Sequence, residues 1–140
     1  MRPTMDAKIK DFVSNHHLLA LSVLDNQQEI YTASCYYAFN EERLSLIFKS
    51  SQDCKHIQLA KSHPKVGVII AEDSKNLRLI KGLQIKALFR DAQKSEVTLY
   101  YKNFPYALLA GGGVFGLDIL WAKYTDNTLL LEDKLTYTRN

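Results

Sequence analysis

The sequence predicts a small, mostly antiparallel β-barrel decorated with short helices. Three observations carry that reading. Six or seven segments are apolar runs or alternate with the period of two that gives a strand one packed face. These segments follow one another in meander order, with two or three short helical patterns inserted between them. The chain has 140 residues, which suits one domain over residues 1–140 with a real core. Strands in this order with few helices argue for a barrel over a doubly wound sheet.

Asp6 to Asn15 has Ile9, Phe12 and Val13 at helical spacing, with Asp6 as the cap. Leu18 to Leu24 is a continuous apolar run, as expected of a strand covered on both faces. Glu29 to Phe39 is a long strand after the turn at Asp25–Gln28. Tyr31, Ala33, Cys35, Tyr37 and Phe39 make its packed face, and the even positions are mixed. Leu44 to Phe48 is the third strand of the meander, Lys55 to Lys61 a short amphipathic helix, and Val66 to Ala71 another apolar strand. Leu79 to Arg90 alternates from Leu83 onward, with Gly82 and Gln84 on one face. A glycine inside a strand predicts a bulge or the close approach of something flat.

Ser95 to Phe104 reads as a helix with Val97, Tyr100, Tyr101 and Phe104 on one stripe, ended by Pro105. Ala110 to Gly113 reads as a mobile loop, and it is no P-loop because no Gly-Lys-Ser/Thr follows. Phe115 to Tyr124 is the last long strand and carries the one tryptophan, Trp121. Thr125–Thr128 is a turn, and Leu129–Leu131 reads as the returning arm of a hairpin.

Composition excludes several classes. Apolar residues make up 46% and charged residues 24%, ordinary for a globular protein. A net charge of +3, evenly spread, argues against nucleic acid as a partner. No apolar run is long enough to span a membrane, and the N-terminus has no apolar signal core, so a cytoplasmic protein without membrane attachment is expected. Cys35 and Cys54 are no disulfide framework and no zinc pattern. His16 and His17 lack a third ligand at metal spacing, so no metal is expected.

One stretch has chemistry in it. From Leu44 to Val66 a strand delivers Ser50 and Ser51, then Lys55 and His56, to the start of a helix. Free backbone N–H groups and the helix dipole favour an anion such as phosphate at that place. The same residues also describe a capped helix with two solvated basic side chains.

With these elements in order, the chain resembles the pyridoxamine 5′-phosphate oxidase-like superfamily of FMN-binding split barrels, across nearly its whole length. The phrases IKGLQIKA (80–87), NFPYA (103–107) and KYTDNTL (123–129) resemble a small bacterial branch of it. The resemblance implies an FMN-binding split barrel, a homodimer with the site at its interface, and a small-molecule substrate. In the family a strand leads to Ser-Arg-Lys, whose cations hold the flavin phosphate. Aligned on Pro64–Val66, this chain has Cys54-Lys55-His56 there, so the implied phosphate ligands are Ser50, Ser51, Lys55 and His56. Ser34, Cys35 and Tyr36 fall beside the ring. Gly82 stands where the oxidase has a ring-binding glutamine, with Gln84 two residues on. Trp121 reads equally as flavin contact and as core or dimer contact. The arginine- and histidine-rich C-terminal segment of the oxidase has no match before Asn140, so pyridoxamine phosphate oxidation is not implied. What the resemblance implies is a flavin oxidoreductase that passes hydride or electrons between reduced nicotinamide and a small acceptor. The alternative is a module of the same fold that holds flavin or haem without turnover.

Overall fold

The computed structural model describes residues 4–129 and 134–140. Helix α1 (Ala7–Ser14) is followed by strands β1 (Leu18–Leu24), β2 (Ile30–Asn40) and β3 (Ser45–Ser50), then α2 (Lys55–Ser62) and β4 (Lys65–Ala71). A 3-10 turn (Leu77–Leu79) leads to β5 (Lys81–Asp91) and α3 (Lys94–Asn103). A second 3-10 turn (Pro105–Leu109) precedes β6 (Gly113–Asp126), and β7 (Leu135–Thr138) closes the described chain. The strand order is β3-β2-β1-β4-β5-β6-β7, every pairing is antiparallel, and β6 also pairs with β3. That last pairing shuts six strands into a barrel and leaves β7 as an extra strand beside β6. The expected antiparallel barrel of six to seven strands with short helices is therefore the observed fold.

Alternation sets the interior. Leu19, Leu21 and Val23 of β1, Cys35 and Tyr37 of β2, and Leu83, Ile85, Ala87 and Phe89 of β5 all point inward and are buried. Helix α1 closes one side with Ile9, Phe12 and Val13, and Asp6 caps it by accepting the Lys8 N–H at 2.8 Å. Helix α2 adds Ile57 and Ala60 to the same core.

Four expectations change. Strand β1 is covered on one face only within the chain: Leu18 and Leu24 remain 47% and 39% exposed, because a closed barrel offers a strand a single interior. The bulge falls between Lys86 and Ala87, not at Gly82, which pairs in regular register with Ala71 and Thr125. Opposite the bulge Leu120 is the extra residue of β6, and the inward set switches from Phe115, Leu117 and Ile119 to Ala122 and Tyr124. Helix α2 begins after Cys54 with no side-chain cap, so the capped helix that the same residues also describe does not form. The strand that returns against β6 is Leu135–Thr138; Leu129 instead ends a 3-10 turn, and residues 130 and 131 lie outside the described residues.

Arg139, isolated in the sequence, fastens the C-terminal end. Its guanidinium donates to the carbonyls of Ile119, Arg43 and Leu44 at 2.7, 2.8 and 2.8 Å. Leu44 has a φ of 52°, so this charged clasp helps hold a turn that a leucine does not favour.

Candidate functional site

The end of β3 and the start of α2 form a compact polar cluster. Ser50 continues the inward side of the strand after Phe48, but at the barrel end, so its hydroxyl is half-buried. Ser50 Oγ lies 2.7 Å from His56 Nε2 and 3.3 Å from Cys54 Sγ. The Cys54 thiol donates to the Ser51 carbonyl at 2.9 Å and sits 3.5 Å from His56 Nε2. Burial lowers the His56 pKa from its ordinary value of 6.5, so the ring is neutral in this arrangement at pH 7.

The N-terminus of α2 has no side-chain cap. Its first-turn N–H groups therefore keep their hydrogen-bonding capacity beside Ser50 and His56. A helix start without a carboxylate or hydroxyl on it, flanked by a hydroxyl and an imidazole, has the donor set that an anion requires. Lys55 is in reach but is turned toward β2, with Nζ 4.8 Å from the centre of the Tyr31 ring.

A neighbouring cation escaped the sequence reading. Lys49 donates to the carbonyls of Ala107 and Ala110 and lies 4.9 Å over the Tyr101 ring. It thereby clamps the end of the 3-10 turn against β3. The glycine run after it is a close backbone approach. A Cβ on Gly112, whose φ is +125°, would lie 2.7 Å from the Ser50 carbonyl oxygen, and Gly113 already begins β6. The only sequence signal is a lysine between the apolar run Leu44–Phe48 and Ser50.

The other anticipated residues lie elsewhere. Ser34 and Tyr36 point outward from β2 and are exposed, whereas Cys35 points into the core with 6% exposed. Its thiol therefore cannot meet a ring on the outer face, and burial raises its pKa to about 11. Register runs one outer row through Ser34, Ala20, Ile69 and Gln84, and the next through Thr32, Ser22, Gly67, Lys86 and Trp121. Ser34 and Gln84 are thus three strand spacings apart, roughly 14 Å. Gly82 shares the outward side of β5 with Gln84, and Trp121 lies under the Lys86 ammonium at 5.2 Å. Within one chain Trp121 is set apart from the Ser50–His56 cluster, whereas Ser34 and Tyr36 lie on the strand that pairs with β3. Trp121 is eight positions along β6 from Gly113, the partner of Ser50, a contour of roughly 26 Å.

No family model matches the sequence. Solved structures share its fold. A haem-binding protein from Mycobacterium smegmatis superposes with a TM-score of 0.78 at 8% identity, covering 96% of this chain and 59% of its own. A FAD-binding protein from Mesorhizobium loti gives 0.70 at 16%, covering 86% and 92%. A candidate pyridoxamine 5′-phosphate oxidase from Listeria innocua gives 0.70 at 16%, covering 84% and 94%. At these identities the likeness establishes the split-barrel fold alone. Sequence relatives go further. A UPF0306 protein of Campylobacter jejuni is 37% identical over 134 residues, 95% of this chain and 98% of the relative. One from Yersinia pseudotuberculosis is 30% identical over 135 residues, 94% and 91% of the two chains. With identity sustained from end to end of both proteins, this chain belongs to the UPF0306 family.

Proposed function

We propose that the protein binds FMN, with the phosphate at the β3–α2 junction, and that it is a flavin-dependent oxidoreductase. The observation that carries this reading is the uncapped start of α2 beside the Ser50–His56 pair. Ser50, Ser51, Lys55, His56 and the first-turn N–H groups of α2 would hold the phosphate. The flavin ring would lie along an outer sheet face near Ser34, Tyr36, Gly82, Gln84 or Trp121. Bound flavin would supply hydride and electron transfer between reduced nicotinamide and a small acceptor, and the barrel would position it. The same fold in a FAD-binding protein and a candidate pyridoxamine 5′-phosphate oxidase supports the assignment.

A homodimer is part of the proposal. Leu18, Leu24, Ile30, Tyr36 and Ile69 are exposed on the barrel surface. A second copy seated on them would bury that apolar area. It would also bring a partner's outer face, with its Trp121, toward the Ser50–His56 cluster. Light scattering at micromolar concentration should give twice the chain mass; a monomer would remove half of the proposed site.

The absorption spectrum of freshly purified protein is the first test of the cofactor. Flavin bands that bleach on addition of NADH or NADPH support the oxidoreductase. Flavin bands that persist indicate a module that holds the cofactor without turnover.

A second reading, haem, rests on a different place. The His17 ring stacks on Tyr36 with centroids 5.8 Å apart and planes 3° from parallel. Beside it is a cavity of about 380 Å³ with Tyr37, Phe39 and Phe104 in its lining. A haem-binding protein of the same fold supports this reading. A Soret band that His17→Ala abolishes, in place of flavin bands, would select it.

A further inference from the structure

A second cavity, of about 290 Å³, opens between α1 and the far ends of β4, β5 and β6. Strand β6 runs to it from Gly113, the partner of Ser50, and reaches it at Tyr124 and Asp126. The cavity is therefore at the opposite end of that strand from the Ser50–His56 cluster. Its floor is aromatic. Phe12 and Tyr124 are buried, and their ring centroids are 5.3 Å apart.

The walls carry both signs of charge, and several of these groups are already engaged. Asp126 accepts from the Thr128 N–H at 2.9 Å, from the Thr128 hydroxyl and from the Tyr124 hydroxyl at 3.2 Å. Glu72 Oε1 lies 3.1 Å from His16 Nε2, while His16 Nδ1 donates to the Phe12 carbonyl at 2.6 Å. Glu72 Oε2 is left over. Lys8 and Asp11 of α1 and Lys81 of β5 also line the cavity, and none of them makes a salt bridge among the described residues.

A ligand of one sign meets its own sign on these walls. An anion faces Asp11, Glu72 and Asp126, and a cation faces Lys8 and Lys81. A molecule with both charges at short separation satisfies both sets, and an apolar body suits the aromatic floor. We propose that this cavity binds a small zwitterion of the α-amino-acid class. Its carboxylate meets Lys81 and Lys8, its ammonium meets Asp11 and the remaining oxygen of Glu72, and its apolar side chain rests on Phe12 and Tyr124. The cavity volume suits a ligand of that size and is small for a cofactor.

Isothermal titration calorimetry of the purified protein tests this with three probes of one shape. L-Phenylalanine carries both charges, 3-phenylpropionate lacks the ammonium, and 2-phenylethylamine lacks the carboxylate. Phenylalanine should bind saturably, and each analogue about tenfold or more weaker, since each gives up a bond between charged groups. Lys81→Gln should weaken phenylalanine by about the same factor and leave 2-phenylethylamine unchanged. Asp11→Asn, on the exposed side of α1, should weaken phenylalanine and leave 3-phenylpropionate unchanged. Added FMN should not displace phenylalanine. Absence of saturable binding, an analogue that binds as well as phenylalanine, two variants that bind it like wild type, or competition by FMN would each overturn the proposal.

Discussion

Arg90 and Glu96 are joined through both ends of the guanidinium, Nη1 to Oε1 at 2.7 Å and Nη2 to Oε2 at 2.9 Å. The pair ties α3 to the barrel. Arg90 Nε also donates to Asp118 at 2.9 Å, and Asn40 and the Gln93 N–H donate to the two oxygens of Glu96. Only 1% of Glu96 is exposed. Burial alone would raise its pKa, but the bonds from Arg90, Gln93 and Asn40 outweigh burial and hold it at about 2.

Glu96→Gln should therefore cost on the order of 3 kcal/mol at neutral pH, because it takes away the more deeply buried of the two carboxylates on Arg90 and leaves Asp118 as its one counter-charge. Urea denaturation measures this. A carboxylate with a depressed pKa contributes fully above its ordinary value and loses the contribution as pH falls toward the folded-state value. Wild type and variant should thus converge as pH drops from 4.5 toward 2. A gap that stays constant with pH would trace the loss to packing.

The sequence makes the barrel legible because its strands alternate against a single interior, so Leu83, Ile85, Ala87 and Phe89 declare their face without help. Long-range events are not legible. Nothing local to Lys86 or Leu120 announces a bulge, since it arises from how β5 and β6 meet. The Arg90–Glu96 pair and the Arg139 clasp join residues whose partners only the closed barrel brings near. At the candidate site, Ser50 and His56 are six positions apart and could be read as one unit from spacing. The outer-face residues come from different strands, and sequence alone gives no distance between Ser34, Gln84 and Trp121.

Gly112→Ala should disturb both stability and the site. Its φ is +125°, and a Cβ there would lie 2.7 Å from the Ser50 carbonyl oxygen, which leaves no room for a side chain. A cost on the order of 2 kcal/mol or more is expected from backbone strain and the shift it forces. FMN affinity should fall with it, because β3 must move at Ser50. Gly111→Ala is the control: nothing lies within 4 Å of its Cβ position. Its midpoint in urea should stay close to wild type, and a loss equal to that of Gly112→Ala would mean the turn is not held by close approach.

Lys55→Ala should weaken FMN more than riboflavin. A hydrogen bond to a charged group contributes about 1.5–3 kcal/mol, or roughly one to two decades in dissociation constant. Riboflavin has no phosphate and should barely respond. In the free protein Lys55 rests on Tyr31, so Tyr31→Leu should release the ammonium and leave FMN binding intact or slightly tighter. Equal losses of FMN and riboflavin in Lys55→Ala would assign the lysine to the fold or the ring.

His56 gives the pH dependence. In the free protein burial lowers its pKa below 6.5. A bound phosphate beside the ring favours the protonated form and raises the pKa of the complex above that of the free protein. The extra affinity is then fully present below the pKa of the free protein and fades as pH rises through that of the complex. At the acidic end the second ionisation of the phosphate, near pH 6, works against it by reducing the ligand's charge. FMN should accordingly bind best in mildly acidic to neutral solution and weaken toward alkaline pH. His56→Lys supplies a cation that persists through that range and should flatten the alkaline fall. It also removes the partner of Ser50 Oγ, so a uniform offset in affinity is expected beside the change in slope. Fluorescence quenching of FMN between about pH 6 and pH 9 reads both. Parallel curves for wild type and His56→Lys would mean that the imidazole holds Ser50 and does not touch the phosphate.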